Sequence, residues 1–412
     1  MASYAARSST VSLPFSEESS SERANAMRSL ADEMGERGVQ RVHVLAWRDL
    51  DDVEAGGSEV HAGEFMRRWA VAGLEITHRT SAAAGIPATA RRHGYEVIRR
   101  GSRYSVFPRT AVAELTRRMG KFDALVEIWN GVPWMSPLWC RKPRMTLLHH
   151  VHGPMWAETF PQPFASIGRV MEARLAPPFY RRTQMVALSD GTRDEIRELG
   201  ISEERISCVL PGVDAFFQPG ADKAAVPTVL AVGRLAAGKR FPALLPALLA
   251  VRSAVPELQA IIVGEGPDRE SIESWIAQYN AASWLTLLGR VSPDELLRHY
   301  QRAWLVTSAS IAEGWGMTLT EAGACATPAV VTDVNGHRNA VEHGVTGLLA
   351  DLGDLATAIT SLLTDHERRL RMGAAARTFA NTLTWDRTAH ELLHILHGQV
   401  VKQRPLAVLG LG

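Results

Sequence analysis

The sequence lacks the usual features of membrane-spanning and secreted proteins. No apolar run approaches the roughly 18 residues that a transmembrane helix needs, and the first 27 residues contain no apolar core of a secretory signal. Cysteine is scarce: Cys140, Cys208 and Cys325 are odd in number and do not have the spacing of a metal site. We therefore expect reduced thiols, a cytoplasmic location and no bound metal.

Net charge is also nearly absent. The chain has 45 basic and 44 acidic residues, and its formal net charge is +1. Such a balance gives no global signal for nucleic acid or for a membrane surface, and we expect no nucleic-acid partner. A hydrophobic content of 46% is typical of globular proteins, and 412 residues indicate two domains. The sequence leaves monomer and homodimer open.

The chain does contain an alternation of apolar strands and amphipathic helices, in two halves. Alternation of this kind implies parallel sheets with right-handed crossovers. The predicted fold class is therefore α/β, with two Rossmann-like β/α/β domains. The predicted strands cover residues 42–47, 75–80, 95–99, 122–129, 145–148, 185–188 and 206–210 in the first half, and 228–232, 258–263, 284–288, 304–307 and 328–332 in the second.

A segment rich in Gly, Pro and Ala follows residue 215 and separates the two halves. We predict a Ser-rich, disordered arm over residues 1–37, a first domain over residues 38–215 and a second domain over residues 216–384. A helix over residues 385–400 and a tail over residues 401–412 complete the chain.

Two glutamates in the second half flank a turn between a strand and a helix. Glu313-Gly-Trp-Gly precedes the predicted helix, and Glu321 is eight residues beyond Glu313. The two glycines argue against one continuous helix, so we place Glu313 in the loop and Glu321 about one turn into the helix. Both carboxylates can then face a ligand at the helix N-terminus, where backbone N–H groups attract phosphate. Those N–H groups belong to Gly316, Met317 and Thr318.

Two cations follow an earlier strand of the same half. Arg234 and Lys239 are five residues apart in a glycine-containing loop, and fixed cations at a strand end suit a diphosphate. The alternative is a solvated basic loop. The nearby Gly264-Glu-Gly266 is only part of a dinucleotide fingerprint, because Arg269 occupies the third glycine position. Together, the cations, the helix N-terminus and the two glutamates predict a nucleotide-sugar site.

The first half contributes a histidine cluster and a glycine pair. His149, His150 and His152 follow a predicted strand at its C-terminal end, where α/β sheets bind ligands. A histidine there can donate to a sugar hydroxyl; the alternative is that one or two of the three cap loops or fill the core. Gly57, before a helix, would let an anionic group approach the backbone, unless the segment is a plain turn capped by Ser58.

These segments resemble glycosyltransferase family 4 (glycosyl transferases group 1), a group of retaining enzymes with the GT-B fold. The resemblance implies two Rossmann-like domains that face each other across a cleft, with the C-terminal helix crossing back to the first domain. In the second half it rests on GRLAAGK (233–239), VGEGP (263–267), LGRVSPDEL (288–296), SIAEGWGMTLTEAGACATPAVVTD (310–333) and EHGVTGLLAD (342–351). In the first half it rests on AGGSEVH (55–61), the histidine cluster and LPGVD (210–214).

The resemblance also implies roles for the site residues. Arg234 and Lys239 would neutralise the departing diphosphate, Glu313 would hold the hydroxyls of the donor sugar, and Glu321 would hold the ribose. The backbone of Val291 would contact the base. Gly57, Gly264, Gly316, Met317 and Thr318 would complete the nucleotide-sugar site.

The family's catalytic-region histidine maps to His149 or His150, and the spacing to Trp156 favours His149. Asn335 departs from the family pattern, because a glycine is common at that position. Asp49-Leu-Asp51 has the form of the carboxylate triplet used by metal-dependent GT-A transferases, but in this architecture we expect it to be an exposed acidic loop.

The function implied is retaining transfer of a hexosyl or N-acetylhexosaminyl group from a nucleotide-diphosphate sugar to a hydroxyl acceptor, in carbohydrate or natural-product biosynthesis. We expect front-face displacement without a metal or other cofactor, and family frequency favours UDP over GDP. The acceptor cannot be identified from the sequence. The alternatives are a GT-B epimerase, hydrolase or phosphorylase, and an NAD-dependent Rossmann oxidoreductase.

Overall fold

The computed structural model describes residues 19–153, 155–159 and 161–403. Two sheets, one from each half of the chain, are flanked by helices, as the α/β prediction requires. Residues 1–18 of the predicted arm and residues 404–412 of the predicted tail lie outside the described residues.

The first sheet has eight strands in the order β3-β4-β2-β1-β5-β6-β7-β8. All neighbouring strands are parallel except β3 and β4, which form an antiparallel hairpin. The strands at the centre of the sheet are apolar and buried on both faces, as parallel sheets covered by helices require. The strands are β1 Arg41–Leu45, β2 Glu75–Thr80, β3 Thr89–Arg92, β4 Tyr95–Arg99, β5 Ala124–Trp129, β6 Arg144–Leu148, β7 Gln184–Ala187 and β8 Ile206–Cys208.

The second sheet has six strands, all parallel, in the order β11-β10-β9-β12-β13-β14. Strand order reverses between β9 and β12, and ligands in such sheets bind beyond the C-terminal ends of the strands at this switch point. The strands are β9 Thr228–Val232, β10 Gln259–Val263, β11 Leu285–Gly289, β12 Leu305–Ser308, β13 Ala329–Thr332 and β14 Gly347–Ala350.

Helices connect the strands and cover both sheets. The helices are α1 Ser20–Glu36, α2 Gly57–Val71, α3 Val106–Leu115, α4 Ser136–Trp139, α5 Met155–Thr159, α6 Phe164–Val170, α7 Pro177–Tyr180, α8 Asp190–Glu198, α9 Phe241–Ala254, α10 Arg269–Gln278, α11 Pro293–Arg302, α12 Met317–Ala324, α13 Asn335–Ala340, α14 Leu355–Thr364, α15 His366–Asn381 and α16 Trp385–Gln403. A π-helical turn, Met171–Leu175, joins α6 to α7.

The C-terminal helix returns to the first domain. Helix α16 packs against α1, α2 and β6, and the indole of Trp69 donates a hydrogen bond of 2.9 Å to the carbonyl of Ala389. Leu392, Leu393 and Leu396 are buried in the core of the first domain. The chain therefore crosses between the domains twice, as the GT-B resemblance predicted.

The prediction of disorder is wrong for residues 20–36, which form helix α1. Ser19 caps this helix in a reciprocal capping box with Glu22. Met27, Ala31 and Met34 recur at spacings of four and three residues and are buried. The Ser-rich composition hid a helical pattern whose apolar face packs on the first domain.

Candidate active site

The loop between β12 and α12 lies at the C-terminal edge of the second sheet. Residues 309–316 have no regular structure, so Glu313 is in the loop and Glu321 is about one turn into the helix, as predicted. Gly316 precedes the helix with φ +98°, in the left-handed region that a residue with a Cβ rarely adopts. This turn brings the N-terminus of α12 to the edge of the sheet.

Glu313 in this loop forms an ion pair with Lys239, which lies in the loop after β9. The hydroxyl of Ser310 donates a second hydrogen bond, of 2.7 Å, to Oε1 of Glu313. Burial alone would raise the pKa of Glu313, but Lys239, His337 and Ser310 outweigh it and lower that pKa to about 2. The structure thus joins two predicted site residues that are 74 positions apart in the chain, and Glu313 is ionised at neutral pH.

Glu321 has a different environment from Glu313. Tyr300, which is fully buried on α11, donates a hydrogen bond of 2.9 Å to Oε2 of Glu321. Burial raises the pKa of Glu321 to about 7, although the Tyr300 hydrogen bond opposes this shift. Glu321 therefore titrates near neutral pH, unlike Glu313.

Arg234 lies on the same loop as Lys239 and faces the first domain. Partial burial and the positive charge of Arg48 lower the pKa of Arg234, whereas Glu54 and Glu59 act in the opposite direction. These three neighbours belong to the loop after β1 and the start of α2. Lys239 therefore lies against the loop before α12 through its ion pair with Glu313, and Arg234 is a second cation of the same β9 loop, at the boundary between the domains.

Two glycines allow the β10 loop to pack against this cationic loop. A Cβ on Gly264 would lie 1.8 Å from the carbonyl oxygen of Gly233, and one on Gly266 would lie 2.3 Å from that of Leu235. Gly264 therefore contributes to the site by allowing the backbones of the two loops to pack closely together. Val291 follows β11 and is half-buried. Among the hydrogen bonds between described residues, none uses the backbone of Val291.

The first domain closely approaches the N-terminus of α12. A Cβ on Gly57 would lie 2.9 Å from Sδ of Met317, and one on Gly314 would lie 2.3 Å from the carbonyl oxygen of His149. The guanidinium of Arg290 donates a hydrogen bond to the carbonyl of Val53. Helix α2 begins at Gly57 with Gly56 as its N-cap, so Ser58 is not the cap. The cleft therefore closes over predicted site residues from both halves.

The histidines of the cluster point in different directions. His149 is buried, and its Nε2 lies 3.3 Å from Nδ1 of His61 inside the first domain. His150 lies within electrostatic range of Glu313 and Lys239, and burial lowers its pKa. Its ring stacks on that of His152, with centroids 4.6 Å apart. The structure thus brings His150 to the Lys239–Glu313 pair and directs His149 away from it.

Both sides of this cleft match known families. Residues 214–379 match the family described as Glycosyl transferases group 1. Residues 55–215 match Glycosyltransferase Family 4. The chain belongs to glycosyltransferase family 4. The two matches together include every predicted site residue.

Curated relatives cover this family-4 chain to different extents. The D-inositol 3-phosphate glycosyltransferase of Rhodococcus jostii is 34% identical over 51% of this chain and 53% of the relative. The match thus spans about half the length of this relative and of its Rhodococcus opacus counterpart. The GDP-mannose-dependent alpha-(1-6)-phosphatidylinositol monomannoside mannosyltransferase of Mycobacterium tuberculosis is 26% identical over 83% of this chain and 95% of the relative.

Solved structures establish the fold as GT-B. Sucrose-phosphate synthase from Thermosynechococcus elongatus superposes with a TM-score of 0.72 at 21% identity, over 88% of this chain and 98% of that one. WaaG, a glycosyltransferase involved in lipopolysaccharide biosynthesis, superposes with a TM-score of 0.68 at 15% identity, over 87% of this chain and 100% of that one.

Two glutamates that the sequence did not single out, Glu172, which is buried, and Glu195, which is half-buried, hold the histidine loop of this family-4 protein. Glu172 accepts hydrogen bonds from the backbone of His152 and Gly153 and from the indole of Trp156, at 2.9–3.0 Å. Glu195 accepts one of 3.0 Å from the backbone of Val151. Neither residue lies in a recognisable motif, so only the fold reveals that they position this loop.

Glu195 also links the two domains. The side-chain amide of Asn335 donates a hydrogen bond of 2.9 Å to the other oxygen of Glu195. Asn339, one turn further along α13, accepts one of 3.3 Å from the backbone of Asp190. The family often has glycine in place of Asn335, so this departure provides a side chain for a contact between domains.

The prediction that Asp49-Leu-Asp51 is an exposed loop is wrong for Asp49. Asp49 is buried, and Arg99 binds both of its oxygens at 3.2 Å or less. Asp51 pairs with Arg99 and Arg92. The triplet is thus engaged in ion pairs with the end of β4, and it fixes the loop after β1 against the sheet.

No group of three or more His, Cys, Asp and Glu side chains in the ranges given above is arranged to hold a metal ion. Within the same ranges, no helix combines the length and apolar character that crossing a bilayer demands.

Proposed function

We propose that the protein is a retaining glycosyltransferase that moves a hexosyl or N-acetylhexosaminyl group from a nucleotide-diphosphate sugar to a hydroxyl acceptor. The observation that carries the proposal is the Lys239–Glu313 pair at the N-terminus of α12. It brings together an ionised carboxylate and a cation from two neighbouring loops, beside the backbone N–H groups at the start of α12. A sugar bearing hydroxyls and a diphosphate needs this combination.

The donor is held along the edge of the second sheet. Glu313 accepts hydrogen bonds from the sugar hydroxyls, and Glu321 accepts them from the ribose. The phosphates lie between Arg234, Lys239 and the N–H groups of Gly316, Met317 and Thr318, with Gly57 and Gly264 allowing the backbones to come close. The unpaired backbone groups of Val291 receive the base.

The proposed reaction occurs on one face of the sugar. The bond between the anomeric carbon and the diphosphate oxygen breaks, and the bond to the acceptor oxygen forms on the same side. The acceptor proton moves to the departing phosphate oxygen. Arg234, Lys239 and the end of α12 stabilise the negative charge that develops there, and we propose that no metal is required.

We assign the histidine at the donor sugar to His150. Its position beside Glu313 and Lys239 supports this choice, whereas His149 pairs with His61. Burial keeps His150 neutral, so it can donate one hydrogen bond to a sugar hydroxyl. The carbonyl of His149 still contributes, because it packs against Gly314 at the boundary between the domains.

The proposed donor nucleotide and the proposed class of acceptor are inferred from related proteins. Family frequency favours uridine, and guanosine is the competitor, since one relative is named GDP-mannose-dependent. Relatives named for inositol 3-phosphate and for a phosphatidylinositol mannoside support a cyclitol-containing acceptor. Arg48 and Arg103 lie close to Arg234 on the proposed acceptor side, where both are held in ion pairs with first-domain carboxylates.

The test incubates the full chain with UDP- and GDP-sugars, in chelator, with and without inositol and inositol phosphates. NMR of the product reports the anomeric configuration. We expect acceptor-dependent transfer with retained configuration and no loss of rate in chelator. Inverted products would overturn the retaining mechanism. Acceptor-independent hydrolysis or epimerisation would favour those activities, and NADH binding would favour an oxidoreductase.

A further inference from the structure

The helical segment after the histidine loop exposes a row of large apolar side chains. Phe164, Ile167, Val170, Leu175 and Phe179 are each between 42% and 63% exposed. The first three are three residues apart on α6, which places them about 60° apart on adjacent turns of one side of the helix. The opposite side faces inward, where Ala165 and Glu172 are buried.

The same segment concentrates positive charge. Arg169, Arg174, Arg181 and Arg182 are all exposed, and none of them forms an ion pair with a residue that the structure describes. Glu172 is the one acidic residue in the sequence from 161 to 182, and it is buried. The net charge of the whole chain is only +1, so these unpaired arginines make this segment more positively charged than the rest of the chain.

We propose that these apolar and basic side chains, here called the 164–182 surface, bind the surface of an anionic lipid bilayer. Bulky apolar side chains flanked by arginines are what a helix lying in the lipid headgroup layer requires. Anionic headgroups complement the unpaired guanidiniums. A second copy of the chain fits less well, because two such surfaces would bring their arginines together. Nucleic acid would leave the aliphatic side chains exposed.

The 164–182 surface is joined directly to the cleft. Glu172, on its inner side, accepts the hydrogen bonds from the backbone of His152 and Gly153 that fix the histidine loop. Tyr180, at its other end, donates to the buried carboxylate of Glu127 below the loop after β5. A bilayer bound here would lie next to the first-domain side of the cleft. The proposal concerns binding alone and does not depend on the proposed reaction.

The experiment is co-sedimentation of the full chain with vesicles of phosphatidylcholine, alone or mixed with phosphatidylglycerol. We expect binding to the anionic vesicles that weakens with salt. An Arg174→Ser, Arg181→Ser variant should bind roughly fivefold more weakly for each arginine removed. An Ile167→Asp, Phe179→Asp variant should lose binding at all salt concentrations. Since these side chains are exposed, the thermal unfolding midpoints should stay unchanged.

The matched control is Leu370→Asp, Arg371→Ser on α15 of the second domain, where both residues are also exposed. It should bind the anionic vesicles as the wild type does. The proposal is overturned if the wild type does not sediment with anionic vesicles at low salt, or if the Ile167→Asp, Phe179→Asp variant still does. A dimer that this variant dissociates, without vesicle binding by the wild type, would assign the surface to a second copy.

Discussion

At the residue scale, the proposed donor site depends on two half-buried carboxylates in opposite environments. Lys239 lowers the pKa of Glu313 against the effect of burial, whereas burial raises that of Glu321 beside Tyr300. The sequence indicated both glutamates through their spacing around a glycine turn. It did not indicate their partners, since Lys239 is 74 residues from Glu313 and Tyr300 is 21 residues from Glu321.

Replacing Lys239 by alanine should lower kcat by about 10²–10³-fold, because the departing diphosphate loses a cation positioned for its developing charge. The measurement is steady-state turnover of the nucleotide sugar with its acceptor. Lys402→Ala, an exposed lysine at the end of α16, is the control and should leave turnover unchanged. Wild-type turnover by Lys239→Ala would remove Lys239 from the mechanism.

Nucleotide affinity should depend on pH through Glu321. Its pKa is about 7 in the unliganded protein, and ribose hydroxyls that donate to the carboxylate favour the ionised form and lower the pKa on binding. Affinity is therefore full above that pH and falls below it, by at most about tenfold per pH unit. Calorimetric titrations with UDP on either side of pH 7 measure the effect.

The variant Glu321→Gln provides the control for this pH dependence. Glutamine has nearly the same shape and does not titrate, so its affinity for UDP should be weaker and the same at both pH values. If the wild type shows no pH dependence, or if the glutamine variant retains it, Glu321 does not hold the ribose.

At the scale of elements, apolar patterns in the sequence predicted most of the strands. A strand without a strong apolar pattern was missed. Strands β2, β4 and β9 have the predicted bounds. Strand β3 was missed because its residues are exposed or half-buried. It is joined to β4 by His93 and Gly94, both with positive φ. His-Gly is not among the usual signals for such a two-residue turn.

Helix α1 should contribute to the stability of the first domain. Met34→Ala should lower the free energy of unfolding by about 2–5 kcal/mol, because it empties a fully buried site in the core. Urea unfolding measures the change, and Ser29→Ala, on the exposed side of the same helix, is the control. Equal effects of the two substitutions would mean that α1 does not pack as described.

At the scale of the whole molecule, the two domains come closest at glycine residues, which have no Cβ. A small number of side chains also make contacts between the domains. The sequence predicted a cleft through the family resemblance, but it could not predict that His150 would face the second domain. That orientation depends on Glu172 and Glu195, which bind backbone groups of the histidine loop from separate elements. Contacts of this kind leave no periodic pattern in the sequence.

Gly314→Ala should separate nucleotide binding from turnover. The added Cβ would lie 2.3 Å from the carbonyl oxygen of His149 and keep the domains apart. We expect UDP affinity to change little and kcat to fall by at least about tenfold, since chemistry requires the closed cleft. Gly353→Ala is the control, because a Cβ there has no neighbour within 4 Å. Equal turnover of the two variants would show that this close approach is dispensable.

In the proposed enzyme, Arg234, Lys239 and the N-terminus of α12 together bind a nucleoside diphosphate. Isothermal titration of the full chain with UDP, GDP and NADH, in chelator, tests this binding most directly. We predict that UDP or GDP binds and that NADH does not. Each charge-assisted hydrogen bond contributes about 1.5–3 kcal/mol, so Arg234→Ala combined with Lys239→Ala should weaken binding by at least about a hundredfold. Absence of binding by either diphosphate, or unchanged affinity in the double variant, would contradict the account.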